Sequence, residues 1–221
     1  MKIRLIFFCL LAIAGLSCNK ENFNYAKNTV GSSKIIYFPI ISTKGDKIIA
    51  VKQGDVYADA GATATLNNAP VDYIADQTIN TANPGIYTIT YTASNPQGFT
   101  ASDWRMVVVI PSSVVADPVV SANDFSGVYL RAATGVTSTW VKLGTGVYKV
   151  ENPGGSSGVG KYVVVTNYSG NDISIPTQNA PDFGGTVSSG NETYSPGPPA
   201  TYSWKFFAIG YGTGLRSFVK Q

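Results

Sequence analysis

Cys18 carries the most assignable chemistry in the chain, a thiol that closes an apolar N-terminal run in the order Ala14-Gly15-Leu16-Ser17-Cys18-Asn19. With Lys2 and Arg4 as a basic start and residues 5–16 as an apolar stretch, residues 1–17 read as a bacterial lipoprotein export signal. Small residues precede a cysteine that is cut free and lipidated, so the mature chain begins at Cys18. Such signals usually carry Leu three residues before the cysteine, whereas Gly15 holds that place here and Leu16 follows it. An ordinary secretory signal and a retained anchor are the alternatives. Twelve apolar residues span about 18 Å as a helix, short of a hydrocarbon core of roughly 30 Å, which speaks against a spanning anchor.

The other side chains able to do chemistry are aromatic rings and carboxylates. Flat rings stack on the apolar faces of sugars while neighbouring polar groups fix orientation. Tyr168, Tyr194 and Tyr211 stand among Gly, Ser, Asn and Pro, where no strand explains them. Tyr194 lies in a stretch, residues 188–199, that reads as a long loop with polyproline character ending in Ser195-Pro196-Gly197-Pro198-Pro199. Trp140 is the fourth ligand candidate, although like Tyr148, Tyr162, Trp204 and Phe206 it sits in a strand whose alternation favours burial. A catalytic site would most naturally be a carboxylate pair of the kind that hydrolyses glycosides. Asp124, Glu151, Asp172, Asp182 and Glu192 are available, but they stand mostly beside Gly, Asn or Pro, as turn residues do. Nothing in the sequence pairs them. Asp55 and Asp59 supply two carboxylates where calcium takes six to eight oxygens, so turn and edge roles are expected. Asn152-Pro153-Gly154-Gly155-Ser156-Ser157-Gly158 lacks the lysine and following helix of a phosphate cradle and reads as a flexible turn.

Composition removes whole classes of chemistry. There is no histidine, hence no Ser-His-Asp or Cys-His arrangement and none of the commonest metal ligand. Cys9 falls inside the leader, so the mature chain keeps only Cys18 and forms neither an internal disulfide nor a thiolate metal site. Without Lys2 and Arg4 the 16 basic residues fall to 14 against 13 acidic ones, a net charge near +1 with no nucleic-acid footprint. No cofactor is implied. Gly, Thr, Ser, Val and Tyr abound while Glu, Leu and Met are scarce, which predicts an all-β protein.

These residues need elements to hold them. Residues 18–33 read as a polar tether, 34–111 as one domain, 112–122 as a linker and 123–221 as a second domain. The apolar run at 35–41 contains Pro39, which confines it to an edge strand or a strand start, and Ile48, Ile49, Ala50 and Val51 make the next strand. The stretch Val51-Lys52-Gln53-Gly54-Asp55-Val56-Tyr57-Ala58-Asp59-Ala60-Gly61, followed by Asn83-Pro84-Gly85-Ile86-Tyr87-Thr88-Ile89-Thr90-Tyr91, resembles the immunoglobulin-like domains of bacterial surface proteins and some pesticidal crystal proteins. The resemblance covers roughly residues 45–110 and implies a β-sandwich of six or seven strands. Alternation in the second motif turns Tyr87, Ile89 and Tyr91 toward the core. The run from Trp104 to Ile110 returns as the last strand.

The second domain alternates glycines with short aromatic strands. Six are firm, and residues 172–175 and 185–188 are two weaker ones, predicting an antiparallel meander that closes into a small barrel or a two-layer sheet. On one strand Tyr202, Trp204, Phe206 and Ala208 face inward. The order Gly127-Val128-Tyr129, Gly146-Val147-Tyr148, Gly154-Gly155 and Tyr202-Ser203-Trp204 resembles an uncharacterised C-terminal domain of lipoproteins from Gram-negative glycan-utilisation loci. That likeness implies a neighbourhood, not an activity. The expectation is a non-catalytic, lipid-anchored protein of the outer membrane, surface-facing, in which the immunoglobulin-like spacer presents the C-terminal domain to a polysaccharide or an outer-membrane protein partner. A purely structural or adhesive subunit is the second reading, and a small glycoside-active enzyme the third.

Overall fold

The computed structural model describes residues 26–27, 29–30, 33–156 and 160–221. Cys18 and the export signal expected over residues 1–17 lie outside the described residues, as do most of the expected tether and residues 157–159. The chain divides into two units, residues 1–37 and 38–221. In the first, β1 (Thr29–Val30) and β2 (Ser33–Lys34) form a short antiparallel pair. Everything else belongs to the second.

The second unit opens with a seven-strand sandwich. One sheet joins β3 (Pro39–Thr43), β5 (Ala62–Leu66) and β6 (Ala69–Pro70), and the other orders β4 (Ile48–Lys52), β9 (Thr100–Ile110), β8 (Gly85–Ser94) and β7 (Ile74–Ala75). Pro39 begins the edge strand β3, where a missing N–H costs no ladder bond. Ile89 and Tyr91 are buried as the alternation predicts, while Tyr87 is half-buried at the strand start and donates its hydroxyl to the Asn83 carbonyl at 2.9 Å. The interior is small: Ala62, Ile89, Tyr91 and Val107. Beside it Arg105, fully buried, pairs with Asp59 and also donates to the Lys44 and Asp46 carbonyls. Tyr91 donates to both Asp59 oxygens at 2.8 Å and Tyr57 to one at 2.9 Å. Burial alone would raise the Asp59 carboxyl, but hydrogen bonds from Tyr91, Tyr57 and Arg105 outweigh it and hold the group below its ordinary 3.8. Asp59 therefore pins a loop to β9, which is a fastening role rather than cation binding.

The outer face of the β4-β9 pair is as apolar as the inner one. Ile48, Met106, Val108 and Ile110 meet Val147 and Val164 of the second domain in one buried cluster. Residues 112–122, expected as a linker, fold into α1 (Ser112–Val115) and α2 (Pro118–Ala122), whose Val114 and Val120 enter the same cluster. Asp117 caps α2, its carboxylate accepting the Val119 and Val120 N–H groups, and Pro118 follows at the first helical position. The sandwich and the second domain thus share a hydrophobic core.

The rest is an eight-strand antiparallel meander: β10 (Gly127–Arg131), β11 (Val136–Gly144), β12 (Val147–Glu151), β13 (Tyr162–Thr166), β14 (Gln178–Ala180), β15 (Gly185–Ser195), β16 (Thr201–Phe207) and β17 (Leu215–Lys220). The last strand pairs with the first through Tyr129–Lys220 and Leu130–Val219, so the sheet curls into a barrel. Its seam falls between consecutive strands β13 and β14. There the Gln178 side-chain amide accepts from the Val164 N–H and donates to the Val164 carbonyl, both at 2.8 Å, imitating a missing strand partner. Residues 172–175, expected as a weak strand, contribute only one bridge, Thr166 to Ser174. The interior is filled: Tyr129, Trp140, Tyr148, Tyr202, Trp204, Phe206 and Phe218 are all buried. This is a packed core, not a lumen.

Candidate functional site at the open mouth of the barrel

Tyr194 is not in a loop. It lies on β15, opposite Tyr202 of β16, and the loop proper begins at Pro196. The stretch looked irregular because its residues are polar. On β15 they are polar because this end of the strand pairs only with β16, leaving the other edge to solvent. A bulge between Gly190 and Thr193, with Asn191 at φ 57°, twists the strand and aims Glu192 and Tyr194 at the barrel mouth.

At that mouth the Tyr194 ring lies 4.1 Å from Phe125, which in turn stacks on Tyr148 at 5.5 Å. The segment carrying Phe125 is tied from inside. Tyr129 donates to the Phe125 carbonyl at 2.8 Å, Tyr148 donates to the Asn123 carbonyl at 3.1 Å, and the Lys142 ammonium also donates to Asn123. Burial pushes the Tyr148 phenol up to about 12, so it remains a donor. Across the mouth, the buried Asn167 side chain donates to the Gly170 and Asp172 carbonyls and accepts from Asn123, which fixes the loop bearing exposed Asn171 and Asp172.

Two connected depressions result, of about 550 Å³ and about 410 Å³, sharing Asn171 and Tyr194. Asp124 and Lys220 line the larger, Asp172 and Glu192 the smaller. Hydrogen bonds from Ser126, helped by the charges of Lys142 and Lys220, hold the Asp124 carboxyl below its usual range. Glu192 accepts from the Ser189 hydroxyl at 2.6 Å. The mouth therefore offers one partly exposed aromatic edge ringed by carboxylates, amides and a single ammonium. Among the described residues, no group of three or more Asp, Glu, Cys or His is placed to hold a metal.

The structure does not bring the four sequence candidates together. Trp140 is 2 % exposed, stacked on Trp204 at 5.6 Å, and so is core rather than ligand platform. Tyr211 packs edge-on against Phe206 at 5.0 Å. Phe206, against which Tyr211 packs, lies four residues or roughly 13 Å along β16 from Tyr202, which pairs with Tyr194, so Tyr211 belongs to the other end of that strand. Tyr168 lines a third depression of about 320 Å³ against Pro84, Ile86 and Pro111 of the sandwich. A single platform built from these three tyrosines is excluded. Of the five carboxylates, Asp124, Asp172 and Glu192 share the mouth, whereas Glu151 accepts from the Gly160 N–H elsewhere. Asn123, Asn171 and Lys220 were not singled out from sequence, since isolated polar residues in turns carry no periodic signal.

Residues 41–109 match the family model of the bacterial surface protein Ig-like domain. The matched residues are those of the sandwich described above. Solved structures similar to the chain include the following two. A lipoprotein from Bacteroides thetaiotaomicron shares 20 % identity over 83 % of this chain and 100 % of that one, with a TM-score of 0.43. The M60 catalytic domain with the CBM51-1 and CBM51-2 domains from Clostridium perfringens shares 15 % identity over 85 % of this chain and 19 % of that one, with a TM-score of 0.30. No curated protein matches the chain.

Proposed function

We propose that the chain is a non-catalytic protein of the bacterial cell envelope, anchored to the outer membrane by lipid on Cys18, whose barrel mouth binds a saccharide. The surface Ig-like domain supports the location. Tyr194 against Phe125, ringed by Asn123, Asn171, Asp124, Asp172 and Glu192, is the observation that carries the binding reading. A ring edge and several hydrogen-bonding groups around a concave floor suit a polyhydroxylated ligand better than an apolar one. The Ig-like domain serves as a rigid pedestal, because it shares the Val147 and Val164 cluster with the barrel. A purely structural or adhesive subunit is the second reading, supported by Phe38, Ile40 and Phe99, which stand exposed on the sandwich.

A glycan array probed with the full chain carrying Cys18→Ser tests this. Retention of one polysaccharide class, weakened at least tenfold by Tyr194→Ala and by the surface change Asn171→Ala, is the expected result. A blank across plant, host and microbial polysaccharides would shift the assignment to the structural reading. For the anchor, palmitate labelling should disappear in Cys18→Ala, and labelling that persists rejects it.

A further inference from the structure

The sandwich turns an apolar face outward at the point where the chain enters it. Phe38 is the first residue of the second unit. It is 57 % exposed and Ile40 70 %, both on the outer side of a segment whose intervening Pro39 is buried. The Phe99 ring, 44 % exposed, lies 5.1 Å from that of Phe38 and comes from the turn between β8 and β9. That turn is locked, since the Asn95 side chain accepts the Gln97 and Phe99 N–H groups at 3.0 and 2.8 Å and the Asn95 N–H donates to the Phe99 carbonyl at 2.9 Å. The exposure of Phe99 is therefore built in. Single apolar side chains at a surface are ordinary, but two rings in contact, with an isoleucine on the same side, form a patch.

The segments that supply the patch carry no charge. Residues 35–43 and 77–102 contain no Asp, Glu, Lys or Arg. Charged side chains collect where a surface meets only water, and they are what a lipid boundary penalises. The adjoining edge is also a poor template for strand addition by a protein: Pro39 has no N–H, and the Thr43 N–H is already given to the Asp103 carboxylate at 2.7 Å. A face of this kind suits a partner that asks for apolar contact and no ladder of hydrogen bonds, which is the boundary between headgroups and acyl chains. The chain brings that partner near. On the lipid-anchor reading of Cys18, on which this inference rests, the anchor stands twenty residues before Phe38, at most about 70 Å of extended chain. The tether joins the sandwich at a member of the patch. Tethering holds the patch beside the bilayer at an effective concentration on the order of millimolar, so contacts too weak for a free protein count.

We propose that Phe38, Ile40 and Phe99 seat the sandwich on the lipid surface that holds the chain, so that the pedestal lies against the bilayer by this face instead of swinging on its tether. The test couples the chain from Cys18 onward, through its thiol, to a maleimide lipid in nanodiscs of phosphatidylethanolamine and phosphatidylglycerol that also contain nitroxide-labelled lipid. Because the coupling supplies the anchor, the result is separate from palmitate labelling, which decides whether the cell adds lipid. The side-chain signals of Phe38, Ile40 and Phe99 should lose at least threefold more intensity to the nitroxide than those of Ile209, which is exposed on the barrel. Replacing Ile40→Ser and Phe99→Ser together should cut the loss at Phe38 at least threefold. Even broadening of all four residues, or a loss at Phe38 unchanged in the folded double variant, leaves a leash without a seat and overturns the proposal. So does broadening of the same three residues in lipid-free solution as protein concentration rises, which would give the patch to a second copy. If the double variant does not fold, the pattern in the unmutated chain decides alone.

Discussion

Inside the sandwich the buried apolar cluster is Ala62, Ile89, Tyr91 and Val107, with Ala64, Ala93 and Val109 buried besides, whereas the barrel interior holds sixteen buried residues, nine of them aromatic. The sandwich compensates with polar fastening. Arg105 ties the loops around Lys44 and Asp59 to β9, a buried pair whose loss leaves a charge without a partner. Its larger apolar cluster lies on the outside, where Ile48, Met106, Val108 and Ile110 press on the barrel. The lesson is that the two domains are not beads on a string. The barrel is self-sufficient in its core, and the sandwich borrows from it.

The largest expected effect is on the sandwich made alone. Residues 38–111 would uncover four aliphatic side chains, each worth about 1.5–3 kcal/mol, roughly 6–12 kcal/mol together and comparable to a domain's whole stability. Calorimetry should show no cooperative transition near that of the full chain, and an unchanged melting point would break the comparison. Next comes Trp204→Ala, expected to cost about 3–5 kcal/mol in urea unfolding because a fully buried indole leaves a cavity. Both domains should then unfold in one shifted transition, whereas an intact sandwich signal after barrel loss would show that the shared core does not couple them.

Asp59→Ala should cost about 2–3 kcal/mol, discounted from the fully buried case because the Asp59 side chain is 29 % exposed. A cost near zero would mean that the fastener adds nothing the apolar core lacks. Gly144→Val places a Cβ 2.8 Å from Ile110 Cδ1, so overpacking of about 1–3 kcal/mol should fall on the interface and separate the two melting events. The smallest effect is that of acid. The folded Asp59 carboxyl sits below its unfolded value, so its contribution is present above about pH 3.8 and fades as pH falls through the lower folded value. In the folded Asp59→Ala variant that part of the acid loss should be missing; an identical acid profile would remove Asp59 from the account.

Much of the fold was legible. Alternation around Ile89 and Tyr91 and around Trp204 and Phe206 set the buried faces, and turn signals spaced the barrel strands. From sequence the run from Trp104 to Ile110 is only a last strand; that Met106 to Ile110 is covered on both sides came from the structure, where the barrel packs on its outer face. The binding candidates were less legible. Tyr168, Tyr194 and Tyr211 looked alike because each stands among small polar residues, and that pattern cannot say which end of a barrel a residue reaches. Residues 152–155 looked flexible because glycine and asparagine permit turns; what they pack against is a long-range matter.

By itself the sequence determined the β-class, the resemblance to a surface Ig-like module and the absence of histidine chemistry, and it raised the expectation of an export signal over residues 1–17, because composition, periodicity and local motifs are properties of neighbours in the chain. Only the tertiary structure decided that Trp140 is core, that the sandwich and barrel are fused by one apolar cluster, that Gln178 closes the seam, and that Arg131 and Arg216 meet over the same carbonyl. Those facts depend on strands far apart in sequence coming together, and closing a meander onto its own first strand is what sets them side by side.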